Sequence, residues 1–218
     1  MNKPILIIDP GHGGKEDGGG TNQYWKEKDF NLKISLYQYE RFKNLGIPVV
    51  LTRKEDMYLD ALERVNIVKE SGAKYCISNH INVGGGEGVE TIHSIYNDGK
   101  LANKLLDKIA QAGQKKRRAF SRTLPNDPKK DYYYMHRETG AVVTTIVEYG
   151  FADNKKDTER LQQYWYKYAE AVVKGFCEYT GIMNYEEMIA EKTAEIERLK
   201  QENLMLKNKI NRVKEILS

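Results

Sequence analysis

The chain has 218 residues, 40% hydrophobic and 30% charged, with a formal net charge of +4. That length suits one well-buried domain plus an appendage, and so mild a charge permits an anionic partner without requiring one. Two cysteines, Cys76 and Cys177, are too few for a disulfide framework or a cysteine-type zinc site, and the lack of any run of 18 apolar residues excludes a membrane-spanning helix.

From the N-terminus, "ILII" (5–8) reads as a buried strand that runs into the glycine-rich turn "DPGHGG" (9–14). Residues 30–45 place Phe30, Ile34 and Tyr37 on one helical stripe and stop at Gly46. A second strand, "IPVVLT" (47–52), precedes a helix over 58–71 that carries Leu59, Leu62, Val65 and Val68 and stops at Gly72. Strands "YCIS" (75–78) and "VETIHSIY" (89–96) come next, then a helix over 100–112 ending at Gly113. Residues 113–131 are basic, contain two prolines and show no periodicity, so they read as a long loop. The strand "VVTTIVEY" (142–149) and a Tyr- and Trp-rich helix over 156–180, ending at Gly181, follow. Glycine just past a stripe is the usual left-handed helix stop. The first three strands lack strict alternation, as expected of strands covered on both faces, and Cys76 in the third is expected to be a reduced core residue. Strands alternating with helices argue for an α/β fold, a mostly parallel or mixed central sheet flanked by helices.

The boundary of this domain (1–183) falls near Gly181–Asn184. Beyond it, residues 184–218 contain no Gly or Pro and repeat in sevens. Ile189, Ile196, Asn203, Ile210 and Leu217 share one seam position, and Lys192, Leu199, Leu206 and Val213 the other. This is a coiled-coil-like helix of about four heptads, expected to make the chain a homodimer through 189–217, with a trimer or larger assembly and packing of the stripe on its own catalytic domain as the alternatives. Isoleucine, leucine and one asparagine on the seam favour a parallel pair, whereas the order of charge, acidic to Glu202 and basic from Lys207, favours an antiparallel one.

The chain holds four histidines: His12, His80, His93 and His136. His12 lies just past the first strand and His80, in "ISNHIN", ends the third. Parallel α/β sheets bind ligands at the carboxyl edge of their strands, so these two can meet there. Neutral imidazole is the commonest metal ligand, and a catalytic zinc site takes three protein ligands and keeps one open position. Glu27, just before a plausible N-cap at Asp29, is the candidate third ligand. Equally, it is a charge favoured at a helix start. Glu148 closes an otherwise apolar strand and needs a partner there. It is either half of a buried ion pair or a general base. His93, inside a strand, and His136, in a tyrosine-rich stretch, read as structural. A phosphate cradle at 9–20 lacks the Gly-Lys-Ser/Thr that would accompany it.

In order along the chain stand "IDPGHGG", "EKD", "LTR", "LDALERVNIV", "ISNHIN", "GVET" and "HRETGAVVTTIVEYGFADN". With this ordered set the chain resembles, from about residue 4 to 181, the zinc-dependent N-acetylmuramoyl-L-alanine amidases of the type-3 amidase family, found in bacterial wall-remodelling enzymes and phage endolysins. The resemblance implies zinc on His12, Glu27 and His80, catalysis by Glu148, and hydrolysis of the amide between N-acetylmuramic acid and L-alanine in peptidoglycan. Another zinc hydrolase of the wall, a peptidase or deacetylase, and a non-catalytic wall-binding or scaffold protein are the alternatives. Two departures stand out: Asn79 replaces the usual apolar residue before the second histidine, and 113–131 is longer and more basic than the family's pattern. Lys115, Lys116, Arg117, Arg118, Arg122, Lys129 and Lys130 in that segment suit anionic wall polymers or simply a solvated loop; no nucleic-acid motif accompanies them. Arg137 and Glu138 are expected either to touch substrate or to be structural. The N-terminus shows no secretory signal pattern, which suits synthesis in the cytoplasm and action on the wall after phage-type release.

Overall fold

Strands β1 (Leu6–Pro10) and β3 (Tyr75–Asn82) lie side by side at the centre of the fold, the apolar runs expected there. The structure, a computed structural model, describes residues 3–182 and 185–217. It divides into two units, Met1–Phe176 and Cys177–Ser218. In chain order the first contains β1, α1 (Glu27–Asn44), β2 (Val49–Leu51), α2 (Ala61–Glu70), β3, β4 (Val89–His93), α3 (Lys100–Gln111), β5 (Lys116–Phe120), β6 (Thr123–Leu124), β7 (Asp127–Asp131), α4 (Tyr134–Arg137), β8 (Val143–Phe151) and most of α5 (Lys155–Thr180).

Six strands form one sheet in the order β2-β1-β3-β8-β4-β5, and β6 pairs with β7 separately. The sheet is mixed: β1, β2, β3 and β8 run parallel, while β4 lies antiparallel to β8 with β5 parallel to β4. On one face Ile7, Cys76, Ile92 and Ile146 meet Val65 and Val68 of α2 and Met135 of α4. On the other, Phe176 of α5 stands edge-on to Phe42 of α1 and to Tyr75, each with ring centres 5.4 Å apart. Both faces being covered is why these strands carry no polar alternation.

The helix ends follow the glycine signals; Gly46, for example, leaves α1 at φ 72°. The starts differ. α1 begins at Glu27, not beyond Asp29, because the preceding loop satisfies the first amides: Glu27 N–H donates to Thr21 Oγ1 (3.0 Å) and Lys28 N–H to the Asp17 carbonyl (3.0 Å). α2 begins at Ala61, later than 58, because Asp60 and Glu63 form a reciprocal capping box. The strand expected over 89–96 ends at His93, where Asp131 takes the Ser94 hydroxyl (2.7 Å) and the Ile95 amide (2.8 Å).

Residues 113–131 are not a long loop. They form the edge strand β5 and the hairpin β6–β7. An edge strand is paired on one side only and commonly carries Lys and Arg, so "KRRAF" has no apolar period to read.

The second unit holds α6 (Tyr185–Leu217). Along it Ile196, Leu199, Leu206, Ile210 and Val213 are exposed, by 44% to 56%, while Ile189 is half-buried. Asn184 and the side chain of Leu217 lie outside the described residues. No helix among the described residues is long and apolar enough to cross a membrane.

Candidate metal centre and catalytic cleft

The loop after β1 must turn sharply to aim His12 back at the strand ends. His12 itself has φ +59°, among the described residues the single non-glycine with positive φ, a conformation that persists only where surroundings impose it. Two buried arginines impose it. Arg64 donates to the carbonyls of Pro10 (2.9 Å) and His12 (3.0 Å), and Arg53 to those of Pro10 (3.1 Å), Gly11 (3.1 Å) and Lys28 (2.8 Å). Arg64 is anchored in turn by Asp9 at 2.6 Å, which also accepts from Thr52 (2.7 Å) and Ser78 (2.6 Å). Burial alone pushes the Asp9 carboxyl up, but the Arg64 charge and the two hydroxyls outweigh it and hold it below the usual range. Burial also draws Arg53 down to about 10.

His12, Glu27 and His80 meet at the centre. Glu27 Oε1 lies 3.3 Å from His12 Nε2 and 3.1 Å from His80 Nδ1, and the two imidazoles stand edge to face with centroids 5.1 Å apart. One donor atom from each residue falls within 4.8 Å of the others. Burial raises the Glu27 carboxyl, but hydrogen bonds and charge from both histidines hold it well below the ordinary range. Gly20 N–H (2.7 Å), Ile81 N–H (3.1 Å) and Asn31 (3.3 Å) fix its orientation. Close approach is built into the backbone: a Cβ on Gly11 would fall 2.2 Å from the His80 ring, and one on Gly18 2.4 Å from Glu27 Oε2. Two imidazoles and one carboxylate, buried on the Glu27 side and half-open on the histidine side, fit a zinc ion.

Glu148 lies opposite His80 in the β3–β8 register, so both side chains leave the same face of the sheet. Both line a cleft of about 400 Å³ with His12, Tyr58, Tyr133 and Tyr134. Glu148 Oε2 is covered yet has no hydrogen-bond partner among the described residues. Burial, then the charges of Glu27 and Glu90, push its carboxyl well above the usual range. It is not half of an ion pair among the described residues, and an unsatisfied buried oxygen calls for a ligand or a chemical role.

The remaining candidates are elsewhere. His93 bonds to the Ser94 carbonyl (2.9 Å), and burial draws His136 down to about 4. Arg137 ties α4 to the β6–β7 hairpin through the carbonyls of Asp131 (2.8 Å) and Tyr132 (2.9 Å), with Glu138 beside it at 3.1 Å. Asn79 points away from its neighbour His80, into a closed network with Ser35, Gln38 and Tyr149 that fastens β3 to α1. Asp9, Arg53 and Arg64 are the residues that sequence reasoning passed over. Their signal was available: single charges inside or beside apolar runs.

Strand-end donors with a lone carboxylate across a cleft are the equipment of a metal-dependent hydrolase. Residues 6–178 match the family model described as N-acetylmuramoyl-L-alanine amidase. The chain belongs to that family and is a peptidoglycan hydrolase, cleaving the amide between N-acetylmuramic acid and L-alanine. It is 30% identical over 182 residues to the uncharacterised protein YqiI of Bacillus subtilis, covering 80% of this chain and 84% of that one. Over 167 residues it is 28% identical to the N-acetylmuramoyl-L-alanine amidase CwlM of Bacillus licheniformis, with 72% of this chain but only 60% of the relative covered. The catalytic domain of CwlV, an amidase from Paenibacillus polymyxa, superposes with a TM-score of 0.72 at 26% identity, covering 83% of this chain and 99% of that domain.

Proposed function

We propose that His12, Glu27 and His80 hold one zinc ion and that Glu148 is the base for amide hydrolysis in the cleft beside them. The observation carrying this reading is that three ligand atoms converge within 4.8 Å while, one strand over, a covered carboxylate oxygen stands without a partner. Zinc, when bound, supplies Lewis acidity that activates water and polarises the scissile carbonyl. The chain's own groups do the rest. His12 and His80 would each offer one ring nitrogen and Glu27 one carboxylate oxygen to the metal. Glu148 takes one proton from the attacking water and returns it to the departing nitrogen. The water oxygen joins the lactyl carbonyl carbon as the carbon–nitrogen bond breaks. The products are a free lactyl carboxylate and a new L-alanine amino terminus. Tyr133, Tyr134 and Ile146 wall the cleft and thin the bulk water around the reacting amide.

Purified walls digested with and without a chelator test the reading. New L-alanine amino termini without acetate, lost on chelation and restored by zinc, are expected. Acetate release would identify a deacetylase, and amino termini other than L-alanine a peptidase.

The reading includes a homodimer through α6, supported by its exposed stripe of Ile196, Leu199, Leu206, Ile210 and Val213, an aggregation risk for a lone helix. Two catalytic units on one polymer would gain avidity. Lys129 and Lys130, exposed on β7, suit anionic wall polymers.

A further inference from the structure

Beside the catalytic cleft lies a second groove of about 510 Å³, lined by Asn82, Glu90, Arg117, Arg118 and Arg122 among others. Tyr133 lines both. The sheet register explains the adjacency. Because β4 runs antiparallel to β8, its first residues start at the edge where the parallel strands end. His80, Glu148, Glu90 and Arg118 therefore stand directly opposite one another on four adjacent strands.

The β4–β5 register slips between Val89 and Glu90, where β5 supplies Arg117 as well as Arg118. Such a bulge re-aims side chains, and here both guanidiniums reach Glu90 Oε1, at 2.8 and 2.7 Å. Asn82 takes the other oxygen at 3.0 Å. Glu90 is only 3% exposed, and its carboxylate is fully engaged in organising two cations. Arg122 forms no ion pair with a carboxylate among the described residues. It lies 3.8 Å over the Tyr132 ring and shares the groove lining with Tyr133. Arg117 lies over Phe151 (4.9 Å) and Arg118 over Phe120 (4.1 Å). Asp153, near the rim, is turned onto the amides of Gly84 and Gly85. Three guanidiniums against one saturated carboxylate leave an excess of positive charge. Guanidiniums stacked on aromatic rings present their N–H edges to a planar anion.

The chemistry of the substrate says which anion. On the glycan side of the scissile amide the lactyl carboxyl is consumed in the bond itself and the N-acetyl sugars are neutral. Carboxylates occur on the peptide side, the nearest on the residue after L-alanine. We infer that the Arg117, Arg118 and Arg122 groove is the peptide-side subsite of the cleft, binding a free carboxylate of the stem peptide. This rests on Glu148 marking the scissile bond.

The test uses two soluble muramyl-L-alanyl-D-glutamyl fragments, one with the glutamate α-carboxyl free and one with it amidated. Their binding is measured by calorimetry on the full chain carrying Glu148→Gln, alone and combined with Arg117→Gln or Arg122→Gln. Arg122→Gln disturbs no ion pair, which keeps the test independent of any folding loss at Arg117. The free acid is expected to bind about tenfold more tightly than the amide, the scale of one charge-assisted hydrogen bond. Either arginine substitution should abolish that preference while the amide binds as before. Equal binding of acid and amide overturns the proposal, as does a substitution that weakens both alike. So does a defect seen on teichoic-acid-bearing walls and absent from both fragments, which assigns the arginines to phosphate polymers. Products from the unsubstituted enzyme are identified separately. Cleavage at another bond overturns the reading of the cleft and leaves the binding comparison readable.

Discussion

Replacing Arg64 with leucine tests the argument that a buried ion pair presents His12. The change leaves Asp9, wholly buried, facing only the hydroxyls of Thr52 and Ser78. Breaking a buried pair on one side costs about 3–5 kcal/mol. A second route bounds the loss, because Asp9 can take up a proton instead of remaining charged. From an unperturbed value near 3.9, that costs roughly 4 kcal/mol at pH 7 and about 1.5 kcal/mol at pH 5. The sign follows. In the parent the Asp9 carboxyl is held low, so its stabilisation is present above the unfolded value and lost as pH falls. In the variant it is raised, so stability is greatest at low pH and lost as pH rises. The gap between the two, read from urea unfolding, should be about 4 kcal/mol at pH 7 and narrow toward pH 5. A domain with about 5–15 kcal/mol in total would feel it strongly. Arg64→Leu combined with Asp9→Asn should recover most of the stability. It should not recover the His12 geometry, because the carbonyls of Pro10 and His12 still lack their donor; zinc affinity by chelator competition should stay about 10–100-fold weak. A single variant within about 1 kcal/mol of the parent at pH 7, or a double variant with full zinc affinity, would falsify the clamp.

One zinc per chain is expected, lost in His12→Ala and in His80→Ala; full occupancy of either variant by metal analysis sinks the assignment. Glu148→Gln should keep zinc and fold while losing at least about two decades of turnover, and wall digestion at the parent rate would make Glu148 structural. His136 is drawn down to about 4 from 6.5 by burial, so the unfolded chain binds the extra proton first and stability drains as pH falls from about 6.5 to 4, by roughly 3 kcal/mol. His136→Leu should flatten that limb in acid titrations followed by circular dichroism; an unchanged profile contradicts it. Light scattering should give twice the monomer mass for the full chain and a monomer for a chain ending at Gly181, and a monomeric full chain at micromolar concentration ends the dimer idea.

The strands that carry the site were legible because burial on both faces leaves unbroken apolar runs, and helix stops were legible because glycine alone enters the left-handed region cheaply. The ordered motifs named His12, Glu27, His80 and Glu148, and the fold brings all four to one edge. Residues 113–131 were misread for a physical reason: β5 is paired on one side and begins with three charged residues, so no hydrophobic period marks it. Arg53 and Arg64 stand out as charges in the quoted motifs, but their role was not readable there, because they act on carbonyls about 40 to 50 residues back along the chain, a relation that no local window contains.

By itself the sequence determined most helices and the central strands, the amidase family and which side chains could hold a metal, since these depend on local pattern and ordered motifs. Strand direction and register belonged to tertiary structure. Apolar residues in "VETIH" suit a strand of either sense. Only its pairing with β8 made β4 antiparallel, put Glu90 beside Glu148, and gathered three arginines next to the proposed base. Hydrogen bonds between strands set that arrangement, and they join residues far apart in the chain.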